Sequence, residues 1–384
     1  MIDAGVVLTP TERFAPGRVI IRRGIVEAVG VAYDVRVPAG AARLEAPSLT
    51  VTPGFIDPHI HGCGGADVMD ATYDALNTVS RILARHGTTA FLPTTVSAPA
   101  DILGSAIAQL GSLIERHFDG AQPIGIHLEG PFISTTRRGT HQADHILPAN
   151  GELLAEWIHR SAGQLKLLTL APEIDGAGEL IGLAEEAAIR VAMGHSNASY
   201  EDALAAVERG VCYAVHTFNA MREFTHREPG IAGAVLADDR IFAEIVADGI
   251  HVHPEVVKIF ARSKQRDRVL LVTDATSATD MADGQYFLGT EKVNVVNGVC
   301  RDAEGRLAGS TLTQEVGLRH FVRWTGATLQ DALFGLTLNP AGALHLEGRG
   351  RIEPGSPADL VMMNDEFEVI KTFVAGKLVF ERQT

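Results

Sequence analysis

Eight short runs of apolar, β-prone residues alternate with amphipathic, helix-like segments, and this alternation limits the folds open to the chain. Strands that are apolar along their whole length are typical of parallel sheets covered on both faces. Eight strand–helix repeats within roughly 225 residues favour a closed (β/α)8 TIM barrel over an open doubly wound sheet. The runs lie at 51–62, 89–96, 123–132, 165–173, 189–196, 212–218, 242–252 and 269–276.

The two ends of the chain have a different sequence pattern, in which short β-rich stretches are separated by Gly and Pro. We expect residues 1–52 and 346–384 to meet as one small β-sandwich domain beside a catalytic barrel domain of residues 53–345. Two unrelated β flaps are the alternative. After the eighth strand, Asn297-Gly298 predicts the turn of an inserted hairpin.

Composition excludes several classes of protein. Hydrophobic residues make up 46% of the 384 residues, which is too many for a disordered chain. The net charge of −14 argues against nucleic acid or an anionic membrane as a partner. No apolar run reaches the roughly 18 residues of a membrane span, and the first residues lack the features of a signal peptide. Three scattered cysteines suit a reducing compartment, so we expect a cytoplasmic protein.

Polar side chains that carry chemistry stand at the carboxyl ends of the predicted strands, which is where barrels of this type hold their active sites. His59 and His61 are two residues apart in the first strand, so both imidazoles face the same side. This spacing alone is weak, because His251 and His253 repeat it. Four other strands also end in such residues: His127 and Glu129, His195, His216, and Asp274.

A divalent cation would satisfy several of these groups at once, since buried imidazoles and carboxylates are costly without a partner. Glu129, His195 and His216 supply the two nitrogens and one oxygen usual for a catalytic metal site with an open position. A metal there lowers the pKa of bound water and polarises a carbonyl. Asp274 would then take the water proton and return it to a leaving group. Each histidine alone could instead be a hydrogen-bonded rim residue.

The motifs around these residues resemble those of the N-acetylglucosamine-6-phosphate deacetylases of the amidohydrolase superfamily. HLEGPF and HTFNAM carry most of the specificity, whereas the closing G-x-I-x-P-G-x-x-ADLV is shared across the wider superfamily. The matching stretches follow one another in the expected order over most of the chain: PGFIDPHIHGCGGADVMD, GIHLEGPFIS, RGTH, GHSNAS, HTFNAMREFTHREPG, DGIHVHP, LVTDAT, LAGSTLT and NPAGALHLEGRGRIEPGSPADLV.

This resemblance implies hydrolysis of the N-acetyl group of an amino-sugar 6-phosphate, with release of acetate and the free amine. It implies that Glu129, His195 and His216 hold the main metal, that Asp274 is the catalytic acid/base, and that His141 lies near the sugar and the scissile carbonyl. It also implies a homodimer, because family members lend the residue at Arg227 across the interface to the phosphate. The further substrate contacts that it implies are Asn219, Ala220, His251, Leu307, Ala308 and Gly309.

The family divides at the position of His59 and His61. Some members replace this pair by uncharged polar residues and use one metal ion, whereas others keep it and can hold a second ion, with Glu129 bridging and Asp274 as a ligand. This chain has the pair, so the resemblance allows a binuclear site, with zinc expected and iron as the alternative. Cys63 is expected to pack as a small loop residue rather than to bind the metal.

Other functions compete with this one. N-Acetylgalactosamine 6-phosphate keeps the chemistry and changes one hydroxyl of the sugar. A cyclic amidase or another acylase of the superfamily would commonly carry a carboxylated lysine where Glu129 stands. A non-catalytic scaffold would have lost the ligands that this chain retains.

Overall fold

Both ends of the chain meet in one eight-stranded sheet in the computed structural model, which describes residues 1–383. With strands numbered in chain order, the sheet runs β22-β21-β20-β5-β1-β3-β4, and β2 pairs with β1. The strands are β1 (Ile2–Leu8), β2 (Arg13–Phe14), β3 (Gly17–Arg22), β4 (Ile25–Val31), β5 (Leu44–Pro53), β20 (Leu360–Met363), β21 (Val369–Val374) and β22 (Lys377–Glu381).

The antiparallel pairing of β5 with β20 joins the two termini and confirms the expected terminal β domain. The sheet packs around its own apolar cluster, in which Val7, Val19, Val51, Leu360 and Met362 are fully buried. β-Branched and aliphatic side chains on alternate positions favour this half-buried, pleated arrangement. The domain limits at residues 52 and 346 stay a prediction.

Eight parallel strands form the barrel that the alternation predicts. Two sheets contain them, and isolated parallel bridges from Thr94 to His127 and from Ile60 to Ala275 close the circle. The third strand is interrupted and so counts as two segments. The strands are β6 (Phe55–Ile60), β9 (Thr88–Pro93), β10 (Gln122–Pro123) with β11 (Ile126–Glu129), β12 (Leu165–Leu170), β13 (Arg190–Met193), β14 (Tyr213–Ala214), β15 (Phe242–Ile245) and β16 (Val269–Leu271).

Helices cover the outside of the barrel and bury one apolar face each. In the first, Leu76, Val79 and Leu83 are buried, and a capping box of Ser199 and Asp202 opens the fifth. The helices are α1 (Tyr73–Arg85), α2 (Ala100–Leu113), α3 (Gly151–Arg160), α4 (Ala177–Glu186), α5 (Tyr200–Val207), α6 (Gly230–Ala237), α7 (Pro254–Ser263), α8 (Gln314–Thr325), α9 (Leu329–Leu333) and α10 (Leu338–Ala343).

The predicted hairpin follows the eighth barrel strand as part of a three-stranded antiparallel sheet. Asn297 and Gly298 form its turn with φ angles of 52° and 73°, the positive values that a two-residue type I′ turn requires. A two-residue antiparallel pair, β7 (Gly62–Cys63) and β8 (Ala66–Asp67), follows the first barrel strand. The hairpin sheet consists of β17 (Gly284–Leu288), β18 (Glu291–Val296) and β19 (Val299–Arg301).

Within residues 1–383, the helices include none that combines the length and the apolar character needed to cross a bilayer.

Candidate metal centre and substrate cavity

The carboxyl ends of the barrel strands bring the predicted ligands to one rim. His59 lies in β6 and His61 directly after it, and Glu129 is the last residue of β11. His195 and His216 each stand two residues beyond the end of their strand, β13 and β14. Asp274 follows β16 at the eighth strand. Because parallel strands point their carboxyl ends the same way, residues far apart in sequence meet there.

Three of these residues have an unusual backbone. The φ angles of His195, His216 and Asp274 are 46°, 26° and 50°, in the left-handed region that L-residues seldom adopt. Each such residue costs about 1–2 kcal/mol relative to the right-handed region. Strain of this kind is found at functional sites, where the surrounding structure holds side chains in place.

Glu129 lies at the centre of the rim, against five imidazoles. Its Oε1 atom is the shared neighbour of His195 and His216, whose Nε2 atoms lie only 3.0 Å from each other. Glu129 is 2% exposed, so water does not screen these contacts. The distances from its carboxylate oxygens to Nε2 are 3.1 Å for His216, 3.2 Å for His195, 3.4 Å for His59, 3.4 Å for His61 and 3.6 Å for His141.

The donor atoms of this set fit a divalent cation. Two imidazole nitrogens that lie 3.0 Å apart and face one carboxylate oxygen suit a cation held between them. Nε2 of His59 is buried and has no hydrogen-bond partner among residues 1–383. Imidazole with carboxylate is the chemistry of zinc and non-haem iron sites. Three triads have ligand atoms within 4.8 Å of one another: His59, Glu129 and His216; His59, His61 and Asp274; and Glu129, His141 and His195.

The carboxylates of the site are ionised at neutral pH. Burial raises the pKa of Glu129, but the imidazoles of His59 and His195 outweigh burial and hold that pKa well below its usual value. Burial also raises the pKa of Asp274, yet its contacts with His61 and His59 lower it to about 2. Both groups are therefore available as anionic ligands or proton acceptors.

Hydrogen bonds at the far ring nitrogens fix two imidazoles. Nδ1 of His61 lies 3.1 Å from the carbonyl oxygen of Thr94, which can only accept, so His61 turns its Nε2 lone pair toward the site. His141 has the opposite arrangement, because its Nδ1 accepts from the backbone N–H of Ser97 at 3.1 Å and lies 2.7 Å from the Ser97 hydroxyl. A neutral His141 thus carries its proton on Nε2, which faces the site.

A cavity of about 270 Å³ opens above the rim. Gly309 lies on its wall, and a Cβ at that position would come within 2.8 Å of the carbonyl oxygen of Asp274. Only glycine allows this close approach. The lining residues are His61, Val96, Glu129, Gly139, Thr140, His141, His195, His216, Asn219, Ala220, His251, Asp274, Leu288, Arg306, Leu307 and Gly309.

Two of the predicted substrate contacts lie outside this lining. Ala308 is fully buried in the apolar cluster of the hairpin sheet, so its side chain is not available to a ligand in the cavity. Arg227 is exposed on the loop between β14 and α6. Its place on the surface leaves it free to reach a neighbouring molecule, whereas Arg222 in the same loop contacts Glu228 at 2.7 Å.

His251 is held by a residue that sequence reasoning missed. Asp248 accepts from Nδ1 of His251 at 2.6 Å and from the backbone N–H groups of Ile250 and His251 at 2.8 Å. Burial lowers the pKa of His251, but the hydrogen bond to Asp248 outweighs burial and raises it. The imidazole consequently keeps its positive charge to a higher pH, which suits an anionic ligand.

Two residues near the predicted motifs stabilise the fold and are not placed to bind a metal. His253 caps the N-terminus of α7 by accepting from the N–H of Glu255, so the second H-x-H pair is not a pair of ligands. Cys63 is fully buried among apolar neighbours of β6 and α1, as expected for a packing residue. Four further residues belong to the site although their spacing in sequence did not point to them. Two line the cavity, Thr140 and Arg306, and two contact its histidines from behind, Ser97 and Asp248.

Comparison with known proteins agrees with the family resemblance that the sequence motifs indicate. The sequence model described as the amidohydrolase family matches residues 50–379. An N-acetylglucosamine-6-phosphate deacetylase of Vibrio furnissii is 41% identical over 333 residues, covering 86% of this chain and 83% of that protein. An N-acetylgalactosamine-6-phosphate deacetylase of Escherichia coli O157:H7 is 37% identical over 327 residues, covering 85% of this chain and 86% of that protein.

A solved structure is similar over almost the whole chain. It is a variant N-acetyl-D-glucosamine-6-phosphate deacetylase of Mycobacterium smegmatis in complex with N-acetyl-D-glucosamine 6-phosphate. The TM-score is 0.92 at 35% identity, with 98% of each chain covered. The barrel and the terminal sheet therefore occur together in that protein as they do here.

Metal counting tests the two halves of the candidate centre. We expect purified wild-type protein to hold two divalent ions, and the variant His59→Gln/His61→Asn to hold one, because Glu129, His195 and His216 remain. Elemental analysis of both proteins measures this directly. His253→Gln, a histidine of the helix cap, is the control that should keep the wild-type content. A wild-type protein with a single ion would contradict the binuclear site.

Proposed function

This chain belongs to the N-acetylglucosamine-6-phosphate deacetylases of the amidohydrolase family, and we propose that the buried rim around Glu129 is where it removes the acetyl group. It is a metal-dependent hydrolase of amino-sugar metabolism, and its products are acetate and glucosamine 6-phosphate. The observation that carries the proposal is the convergence of five imidazoles on one buried carboxylate at the mouth of the cavity.

Glu129, His195 and His216 would hold the main cation, and His59 and His61 would hold a second one with Glu129 and Asp274. When bound, such a cation lowers the pKa of water and polarises the amide carbonyl. Zinc is the proposed metal and iron the alternative, because histidine with carboxylate serves both.

Asp274 is the proposed acid/base. Its ionised carboxylate accepts a proton from water as the water oxygen bonds to the acetamide carbon. Asp274 then gives that proton to the sugar nitrogen as the carbon–nitrogen bond breaks, so that the amine leaves neutral. The backbone of this residue is strained and Gly309 packs directly against it, which together keep the carboxylate at the wall.

His141 is the proposed donor to the carbonyl oxygen. Ser97 occupies Nδ1 with its N–H and hydroxyl, so the Nε2 proton is directed toward the site. A donor already in place stabilises the negative charge that develops on this oxygen without reorganisation.

The phosphate is proposed to bind at the other end of the cavity. His251 with its Asp248 partner offers a cation, and Asn219 and Ala220 lie beside it on the lining. We propose that Arg227 of the partner subunit completes this site in a homodimer, since Arg227 lies on the exposed surface of its own chain. Leu307 and Gly309 would contact the sugar.

N-Acetylgalactosamine 6-phosphate is the alternative substrate. The likeness to the Escherichia coli protein, 37% identical, supports it, while the greater identity of 41% to the Vibrio furnissii protein favours N-acetylglucosamine 6-phosphate. Within residues 1–383 the three cysteines are unpaired, which supports the proposal of a cytoplasmic location.

Acetate release from four sugars tests the substrate. We expect N-acetylglucosamine 6-phosphate to have the highest kcat/KM, and the unphosphorylated sugar to lose roughly 10–100-fold or more, because it lacks the charge-assisted hydrogen bonds of the phosphate. N-Acetylgalactosamine 6-phosphate and unphosphorylated N-acetylgalactosamine are measured in the same assay. Equal rates with and without phosphate would remove the proposed roles of Arg227 and His251.

Asp274→Asn tests the acid/base. The amide cannot take up the proton, although its oxygen can still contact a metal ion, so we expect kcat to fall by about 10²–10⁴-fold while the fold and the metal content stay near those of the wild type. Turnover and elemental analysis are measured on the same preparation. Near-normal turnover would refute the role, and a large loss of metal would mean that the fall in turnover comes from the lost ion, which Asp274 also contacts, rather than from the missing proton acceptor.

Subunit mixing tests the position of Arg227. Arg227→Ala should raise KM for the phosphorylated sugar, and Arg222→Ala, which removes a charge already paired within the same loop, should change it little. If Arg227 acts across the dimer, mixing Arg227→Ala with Asp274→Asn restores one complete site per mixed dimer. At a substrate concentration well below the KM of Arg227→Ala, where each variant alone is nearly inactive, random assortment then gives about a quarter of wild-type activity. No recovery in the mixture would place Arg227 in its own subunit's site.

A further inference from the structure

We propose that Glu244 is a positioning residue that fixes His59 as a metal ligand and thereby determines whether the second ion of the proposed centre binds. The inference rests on the proposed metal-dependent function and concerns a residue that is not a ligand itself. Glu244 lies in β15, between the strands that carry His216 and Asp274, and none of its surface is exposed.

Each carboxylate oxygen of Glu244 has a defined partner. Oε2 lies 2.8 Å from Nδ1 of His59 and accepts the backbone N–H of His216 at 3.0 Å. Oε1 accepts the hydroxyl of Tyr213 at 2.7 Å. One buried carboxylate therefore joins the first barrel strand to the sixth, at two histidines that both lie against Oε1 of Glu129.

The contact determines which nitrogen of His59 faces the site. Both oxygens of Glu244 accept hydrogen bonds from Tyr213 and His216, so in the neutral ring of His59 the proton is on Nδ1 and Nε2 keeps its lone pair. Nε2 points at Glu129 and Asp274, at 3.4 Å and 3.7 Å from their nearest oxygens. It has no hydrogen-bond partner within the described residues, which is the expected condition of a ligand atom that awaits a cation.

His59 and His61 differ in the group that each far ring nitrogen contacts. The far nitrogen of His61 contacts the backbone carbonyl of Thr94, whereas the far nitrogen of His59 contacts the side-chain carboxylate of Glu244. A carboxylate partner makes the ring a stronger ligand than a carbonyl partner does.

The alternative is that Glu244 only joins the strands. Tyr213 separates the two roles, since its hydroxyl bonds Oε1 on the side away from His59. Tyr213→Phe removes a bond to the same carboxylate and leaves the His59 contact in place. Glu244→Gln keeps the shape of the side chain, removes its charge and allows its amide to donate to Nδ1, which would put the proton of His59 on Nε2.

Zinc titration of the metal-free, full-length protein tests the inference, with zinc equivalents and the dissociation constant of each ion as the readout. We expect Glu244→Gln to weaken the second ion by about 10–100-fold and to change the first ion much less. Tyr213→Phe should retain both ions. His59→Gln should lose the second ion, and the double variant Glu244→Gln/His59→Gln should bind zinc as His59→Gln does, because the two residues act as one unit.

Wild-type affinity for the second ion in Glu244→Gln would overturn the inference. So would an equal loss in Tyr213→Phe, or a further loss of zinc in the double variant, since both indicate a purely structural role. A wild-type protein that binds one ion overturns it as well. Acetate release by the wild-type protein, measured on the same preparation, decides separately whether the proposed deacetylase function stands.

Discussion

A buried negative charge needs positive or hydrogen-bonding neighbours on every side, and Glu129 obtains them from five histidines of four different parts of the barrel. Closure of the barrel is what brings these side chains together, because the ends of parallel strands meet at one rim. The histidines in turn need partners on their other nitrogens. Thr94, Ser97 and Glu244 supply them from behind the rim for three of the five, His61, His141 and His59.

The geometry of the rim requires strained backbone conformations at three residues. His195, His216 and Asp274 all stand just beyond a strand end with positive φ. A strand that simply continued would point successive side chains to alternate faces, and the turn of the backbone redirects them into the mouth. Packing of the apolar strands stabilises the barrel enough to hold these conformations.

Much of the fold follows from local patterns in the sequence. The eight apolar runs became the eight strands of the barrel, and Asn297-Gly298 formed its turn, because burial and turn geometry act over a few residues. The sequence also singled out residues that the structure brings together at one rim, since their positions at strand ends are visible in sequence. Ser97, Glu244 and Asp248 were not, because they act through contacts with histidines that depend on the tertiary structure. Ala308 looked like a contact but packs under the hairpin sheet.

The terminal sheet can be completed only after the rest of the chain has been synthesised. β5 ends at Pro53, while its partner β20 begins at Leu360, so the ribosome releases the entire barrel sequence before the pairing can form. Until then the nascent chain carries an unpaired edge strand, the kind of surface that recruits strands of other molecules. Contacts of such long sequence separation form late and slowly. The last strands to be synthesised thus protect the first ones from aggregation.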